Sequence, residues 1–189
     1  GVFFQQFANN LKVNSPIKKA NDKLVLDNII AAAKANNDRL VSIMFDLSGA
    51  NATGTMVDDI KNYWQEIVDE YGLNNNTNNH LLTYTQKPIV AIWGVGFNRS
   101  DNYDLEDVQE LIDFFKDDPV YGGCSVLLGV PRSWRTPGEG DAVNDAQLLE
   151  IIKSADIVHP WTVGRYTSLS GADSYRSTIS ADKEWCDNE

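Results

Sequence analysis

Five short runs of β-forming residues punctuate the chain. Each gives way to a polar, aromatic or Gly-containing segment and then to a stretch of helical periodicity. The runs are Val2-Phe-Phe-Gln-Gln-Phe7, Leu40-Val-Ser-Ile-Met-Phe45, Ile89-Val-Ala-Ile-Trp93, Ser125-Val-Leu-Leu128 and Ile157-Val158. They begin at positions 2, 40, 89, 125 and 157, so successive starts lie 38, 49, 36 and 32 residues apart. That is the cadence of βα units, and it predicts a parallel sheet, because parallel neighbours need a crossover connection.

The intervening segments carry apolar stripes at helical spacing. Ser15-Pro16 and Asn21-Asp22 lead into a helix with Val25, Leu26, Ile29, Ile30 and Ala33 on one face, and Asn36-Asn37-Asp38 stops it. The clearest stripe is Ile60, Tyr63, Trp64, Ile67, Val68 and Tyr71, with Gly72 placed to terminate the helix. A third helix is predicted behind Asp104 as N-cap, with Val108, Leu111, Ile112 and Phe115 inward and Asp117-Asp118-Pro119 at its close. A fourth carries Leu148, Leu149, Ile151, Ile152 and Ala155. Asn74–Asn79 reads as a surface loop, and Thr136–Asp141 as a turn-rich loop at a strand's carboxyl end.

With 189 residues, 42% of them hydrophobic and 23% charged, the chain is sized and composed as one folded domain over 1–189. A net charge of -11 argues against duplex nucleic acid and anionic membrane as partners and is compatible with a neutral ligand. No apolar run approaches the roughly 20 residues that span a bilayer. The chain opens directly in a strand-like run and stops inside a helical pattern, which reads as an internal piece of a longer protein. No compartment follows from that; a glycan-degrading parent would be expected in the secreted or periplasmic space. Cys124 and Cys186 fall in no CxxC pair and, with only His80 and His159 as histidines, give no metal spacing. No metal or cofactor is expected. Sequons stand at Asn51, Asn75 and Asn98.

In parallel α/β sheets the chemistry gathers where strands end and helices begin. Asp46 is the first charged residue beyond the second run, at a point where a carboxylate would be partly desolvated and suited to acid/base work. The bland alternative is an Asx turn with Ser48 and Gly49. Trp93, Trp134 and Trp161 fall at or just past strand ends, and indole rings stack on the apolar faces of sugars. Trp64 and Trp185 lie on helical patterns and are assigned to structure. Phe97, Arg135, Arg165 and Tyr166 belong to the same layer, the arginines as donors to hydroxyls or as structural partners of Asp. Gln5 and Gln6 alternate across the first strand, so one of them faces the pocket; Gln6 is the expected contact. His159 is weighed as a structural group. Gly94-Val-Gly-Phe-Asn-Arg99 fails as a dinucleotide fingerprint, since Arg99 stands where the third glycine belongs.

Four segments together carry a resemblance. Val90-Ala-Ile-Trp-Gly-Val-Gly-Phe97, Ser42-Ile-Met-Phe-Asp-Leu-Ser48, Gly129-Val-Pro-Arg-Ser-Trp-Arg135 and Asp156-Ile-Val-His-Pro-Trp-Thr-Val-Gly-Arg-Tyr166 are similar to glycoside hydrolases related to families 71 and 99, a group also labelled xylosidase/arabinosidase. The resemblance implies a (β/α)8 barrel of the TIM type, of which about five βα units lie here, and hydrolysis of O-glycosyl bonds in a poly- or oligosaccharide. Family 99 comprises endo-α-mannosidases and family 71 α-1,3-glucanases. Their Glu- or Asp-containing catalytic motif has no match in this chain, so Asp46 enters as an inferred participant, with Gln6, Trp93, Phe97, Trp134, Arg135, Trp161, Arg165 and Tyr166 as substrate contacts. Two rival readings are a non-catalytic glycan-binding barrel and an open doubly wound sheet, with helices on both faces, that binds a small metabolite.

Overall fold

The computed structural model describes residues 1–12, 15–36, 38–50, 54–75, 77–99 and 103–189. The strands are β1 (Val2–Phe7), β2 (Val41–Asp46), β3 (Thr83–Tyr84), β4 (Lys87–Trp93), β5 (Ser125–Pro131) and β6 (Ile157–Trp161); the helices are α1 (Pro16–Ala35), α2 (Met56–Tyr71), α3 (Leu105–Asp117), α4 (Gln147–Lys153) and α5 (Leu169–Asn188). The five expected runs are the five parallel strands, joined in the order β1-β2-β4-β5-β6. The two-residue β3 pairs antiparallel with β4 and had no signal strong enough to be read beforehand. The fold is α/β around one parallel sheet.

The strand order follows the chain without reversal, and the helices follow it too. Lys19 and Lys23 of α1 meet Glu66 and Glu70 of α2, Lys61 of α2 meets Glu110 of α3, and Ser154, just after α4, bonds Gln109 of α3. The residue closing the chain, Glu189 after α5, pairs with Lys153 of α4. The helices therefore stand in one row on one face of the sheet, as same-handed crossovers between consecutive strands require. A doubly wound sheet would carry them on both.

Alternation along the strands divides the residues accordingly. The helix-facing row Gln6, Phe45, Ile92 and Leu128 is in register across β1, β2, β4 and β5, and every member is fully buried. On β1 the opposite face holds Phe3 and Phe7, 37% and 40% exposed, while Phe4 is 5% exposed. Phe45 is the centre of the packing. It stacks on Phe115 of α3 at 5.6 Å and meets Tyr63 and Trp64 of α2 edge-on at 6.5 and 6.3 Å. Such contacts combine large apolar burial with favourable ring geometry. The Trp64 indole N–H donates to the Tyr121 carbonyl at 2.8 Å, which satisfies its one polar atom.

Most helix expectations hold. On α2 Gly72 adopts φ +67° at the C-cap, a conformation that costs glycine least. Asp104 caps α3 in a capping box with Asp107. On α1 only Leu26, Ile30 and Ala33 are buried; Val25 is 51% exposed, because the helix begins at Pro16 and its stripe is narrower than the run of apolar residues. The Asn51 sequon, Asn37 of the first stop and the Ser100 that completes the Asn98 sequon lie outside the described residues. Cys124 and Cys186 are both free thiols, the first buried and the second exposed.

Two outcomes follow from this packing. Phe45→Ala is expected to lower unfolding free energy by about 3–5 kcal/mol, read as a shift in the denaturant midpoint. Burial pushes the Cys124 thiol up to about 12, so at pH 8 it stays protonated and shielded. Iodoacetamide should then alkylate Cys186 alone in the native protein and both thiols in guanidinium, as counted by mass spectrometry.

Candidate functional site

On the helix-free face, the register row nearest the carboxyl ends of the strands reads Phe7, Asp46, Trp93, Gly129 and His159 from β1 to β6. Pro131 and Trp161 stand one step further along β5 and β6. Period-two alternation brings these residues to one side of one sheet end, although the sequence scatters them over 150 positions or so.

Asp46 is 3% exposed. Its Oδ1 accepts the Ser48 backbone N–H at 2.8 Å, and its Oδ2 accepts the Gln5 side-chain amide at 2.5 Å. The expected Asx turn with Ser48 thus exists alongside placement in the row: the turn fixes the carboxylate instead of replacing it. Two neutral donors thus occupy both oxygens of the buried carboxyl group.

Trp93 adjoins it. The indole lies over Gly129, where an added Cβ would come within 2.3 Å of Cδ1, so the absence of a side chain there is what lets the ring lie down on β5. Phe97 sits 5.4 Å from Trp93, and Trp161 meets it edge-on at 5.1 Å. The Arg99 guanidinium covers both Phe97 and Trp93, at 4.3 and 5.3 Å from their ring centres, and its Nη1 donates to Ser48 Oγ at 3.4 Å. A cation over two rings adds cation–π attraction and links the aromatic group to the Asp46 turn. The Trp93 indole N–H is buried and without an acceptor among the described residues. His159 is exposed beside Trp161, with ring centres 6.4 Å apart.

The expected contacts divide into those the fold assembles and those it does not. Asp46, Trp93, Phe97 and Trp161 come together. Gln6 does not: it faces the helices, fully buried, and donates to Asp22 of α1 at 3.0 Å. Gln5 is the member of the pair on the Asp46 side, and the alternation that offered both residues is resolved by which face the helices cover. Trp134 is wholly buried, edge-on against Trp185 at 4.8 Å, and serves as core between the β5–α4 connection and α5. Arg135 is held by Asp182 of α5 at 2.6 Å, a structural ion pair. Tyr166 stacks on Tyr175 of α5 at 6.3 Å. Arg165 pairs with Asp141 at 2.8 Å beside the mouth of the site. Arg99 and Gln5 were not expected; Arg99 lies in the very motif that fails as a dinucleotide fingerprint, six residues past Trp93.

No protein-family model, curated protein or solved structure matches the chain. Among the described residues no cluster of His, Cys, Asp and Glu is arranged to hold a metal ion.

The dependence of the Trp93 position on Gly129 is directly testable. Gly129→Ala should displace the indole from β5 and break its contact with Trp161, shifting the tryptophan emission maximum and the near-ultraviolet dichroism. An unchanged spectrum would show that the ring does not need the bare backbone.

Proposed function

We propose that the five βα units form part of a (β/α)8-type barrel whose carboxyl-end face binds and hydrolyses a glycosidic bond in a poly- or oligosaccharide. The observation that carries this reading is the adjacency of Asp46 and Trp93 in one register row, with Phe97 and Trp161 against the indole. Strand order without reversal and helices in a single row support the barrel geometry. The sequence resemblance supports the reaction class.

In this reading Trp161 and the Phe97–Trp93 group offer apolar ring faces to a sugar, and Asp46 supplies charge beside them. Glycosidic cleavage proceeds through a positively charged, oxocarbenium-like transition state flanked by carboxyl groups. A buried carboxylate held by Gln5 and Ser48 is fixed where such charge develops and needs little reorganisation to stabilise it. Arg99, drawn onto the rings, positions the Asp46 turn through Ser48.

A second reading has its own support. The row holds one carboxylate, and both of its oxygens already accept hydrogen bonds; a glycan-binding site without turnover fits that as well. Assays of the purified chain on α-mannan and α-1,3-glucan separate the two. For an enzyme, Asp46→Asn should cut kcat by about 10²–10⁴-fold with polysaccharide binding retained, while Trp93→Ala weakens binding. Binding by both forms with turnover by neither favours the binding module, and absence of binding overturns the carbohydrate reading altogether.

A further inference from the structure

Beside the aromatic group lies a pocket that the reading above leaves unused. Arg132, Ser133, Gly140, Asp141 and Arg165 line about 320 Å³ at the same end of the sheet. Pro131, which precedes Arg132, is in register with Trp161, and Arg165 follows Trp161 by four residues. Two strand-to-helix connections therefore bring their guanidinium groups to one opening, and its loop adjoins Phe97: the Asn98 backbone N–H donates to the Asp141 carbonyl at 2.8 Å and Phe97 bridges to Ala142.

The charges there do not balance. Asp141 is committed to holding the loops together: it pairs with Arg165 at 2.8 Å and accepts the backbone N–H groups of Ser133 and Arg132 at 3.2 and 3.4 Å. The half-buried Arg132 side chain has no ion-pair or hydrogen-bond partner among the described residues. Two guanidinium groups thus face one carboxylate whose oxygens are already in use, leaving one positive charge uncompensated in a chain of net charge -11. Gly140 keeps the opening clear. At φ +57° it adopts a conformation that suits glycine, and a Cβ there would lie 2.5 Å from Ser133 Oγ.

An arginine fork presents planar paired donors that match a carboxylate or sulfate group. Resting on the carbohydrate reading, we infer that this pocket receives the single carboxylate or sulfate substituent of an otherwise neutral sugar. Arg132 provides the free fork, and Arg165, oriented by Asp141, provides a second set of donors. A dense polyanion is disfavoured by the overall negative charge. One substituent at the pocket is governed by the charges nearest to it, since the wider field is screened over about 8 Å at physiological salt.

Calorimetric titration of the intact chain tests this with four probes: a neutral trisaccharide, its singly uronate-bearing and singly sulfated counterparts, and sodium sulfate. An uncompensated charge-assisted contact predicts that one acidic trisaccharide binds about tenfold or more tightly than the neutral one. Which of the two does so identifies the substituent. Arg132→Gln should abolish that preference with neutral binding intact, and because Arg132 holds no other residue the variant should fold; Arg132→Lys should restore only part of it. Equal binding of acidic and neutral sugars, or a preference that survives Arg132→Gln, overturns the acidic-sugar inference and leaves the carbohydrate reading standing. Failure of every trisaccharide to bind, with or without sulfate binding, overturns both.

Discussion

The constraint on which the rest depends is the register of β2 within the sheet. Its alternate residues have opposite duties. Val41, Ile43 and Phe45 close the core beneath the helices, while Ser42, Met44 and Asp46 face the helix-free side. A slip of one residue would exchange the sets, driving Asp46 under α2 and α3 and turning Phe45 out. The cost of burying an unpaired carboxylate among Tyr63, Trp64 and Phe115, added to the loss of the Phe45 ring contacts, excludes that alternative strongly. The aromatic packing on one face therefore sets the position of the carboxylate on the other, at a distance where the two never touch.

The same logic separates tryptophans that look alike in the sequence. Trp93 and Trp134 both follow a β-rich run and precede a Gly- or polar-rich connection. Trp93 is still within β4, and its side is fixed by pleating: Ile92 goes to the helices, so Trp93 must go the other way. Trp134 comes three residues past the end of β5, where no pleat fixes its direction, and the turn closed by its backbone N–H on the Pro131 carbonyl leaves it buried against Trp185. A residue inside a strand has its face dictated by its neighbours; one in a connection takes whatever apolar cover is nearest. Trp185, on the exposed helix α5, provides that cover.

This marks how far the sequence could be read. The runs, their cadence and the stripes of α2 and α3 follow from short-range periodicity, and they account for the parallel sheet and its core. Asp46, Trp93 and Trp161 were legible because each stands at the end of a strand. Gln6 was taken in Gln5's place because nothing local to β1 says which face the helices cover; the crossovers put them on the Gln6 side, where Gln6 meets Asp22 of α1. Arg135 and Tyr166 were drawn away by Asp182 and Tyr175, partners from a helix whose pairing has no periodic signature. Long-range polar pairs of this kind are set by tertiary proximity, which a linear pattern does not encode.

The contrast between the arginines carries the argument one step further. Arg99 lies across two rings, Arg135 is taken up by Asp182, and Arg165 shares Asp141 with two backbone donors. In each of these three the guanidinium's role within the fold can be named. Arg132 has none, although its own backbone N–H helps to fix Asp141 and so to orient Arg165. Its guanidinium nitrogens are not among the buried polar atoms left without a partner, so the fork stays open to solvent at the pocket. Placed one residue beyond the end of β5, such a group contributes nothing to holding the sheet together. It stands instead at the opening between the β5 and β6 connections, which is the placement the acidic-substituent proposal uses.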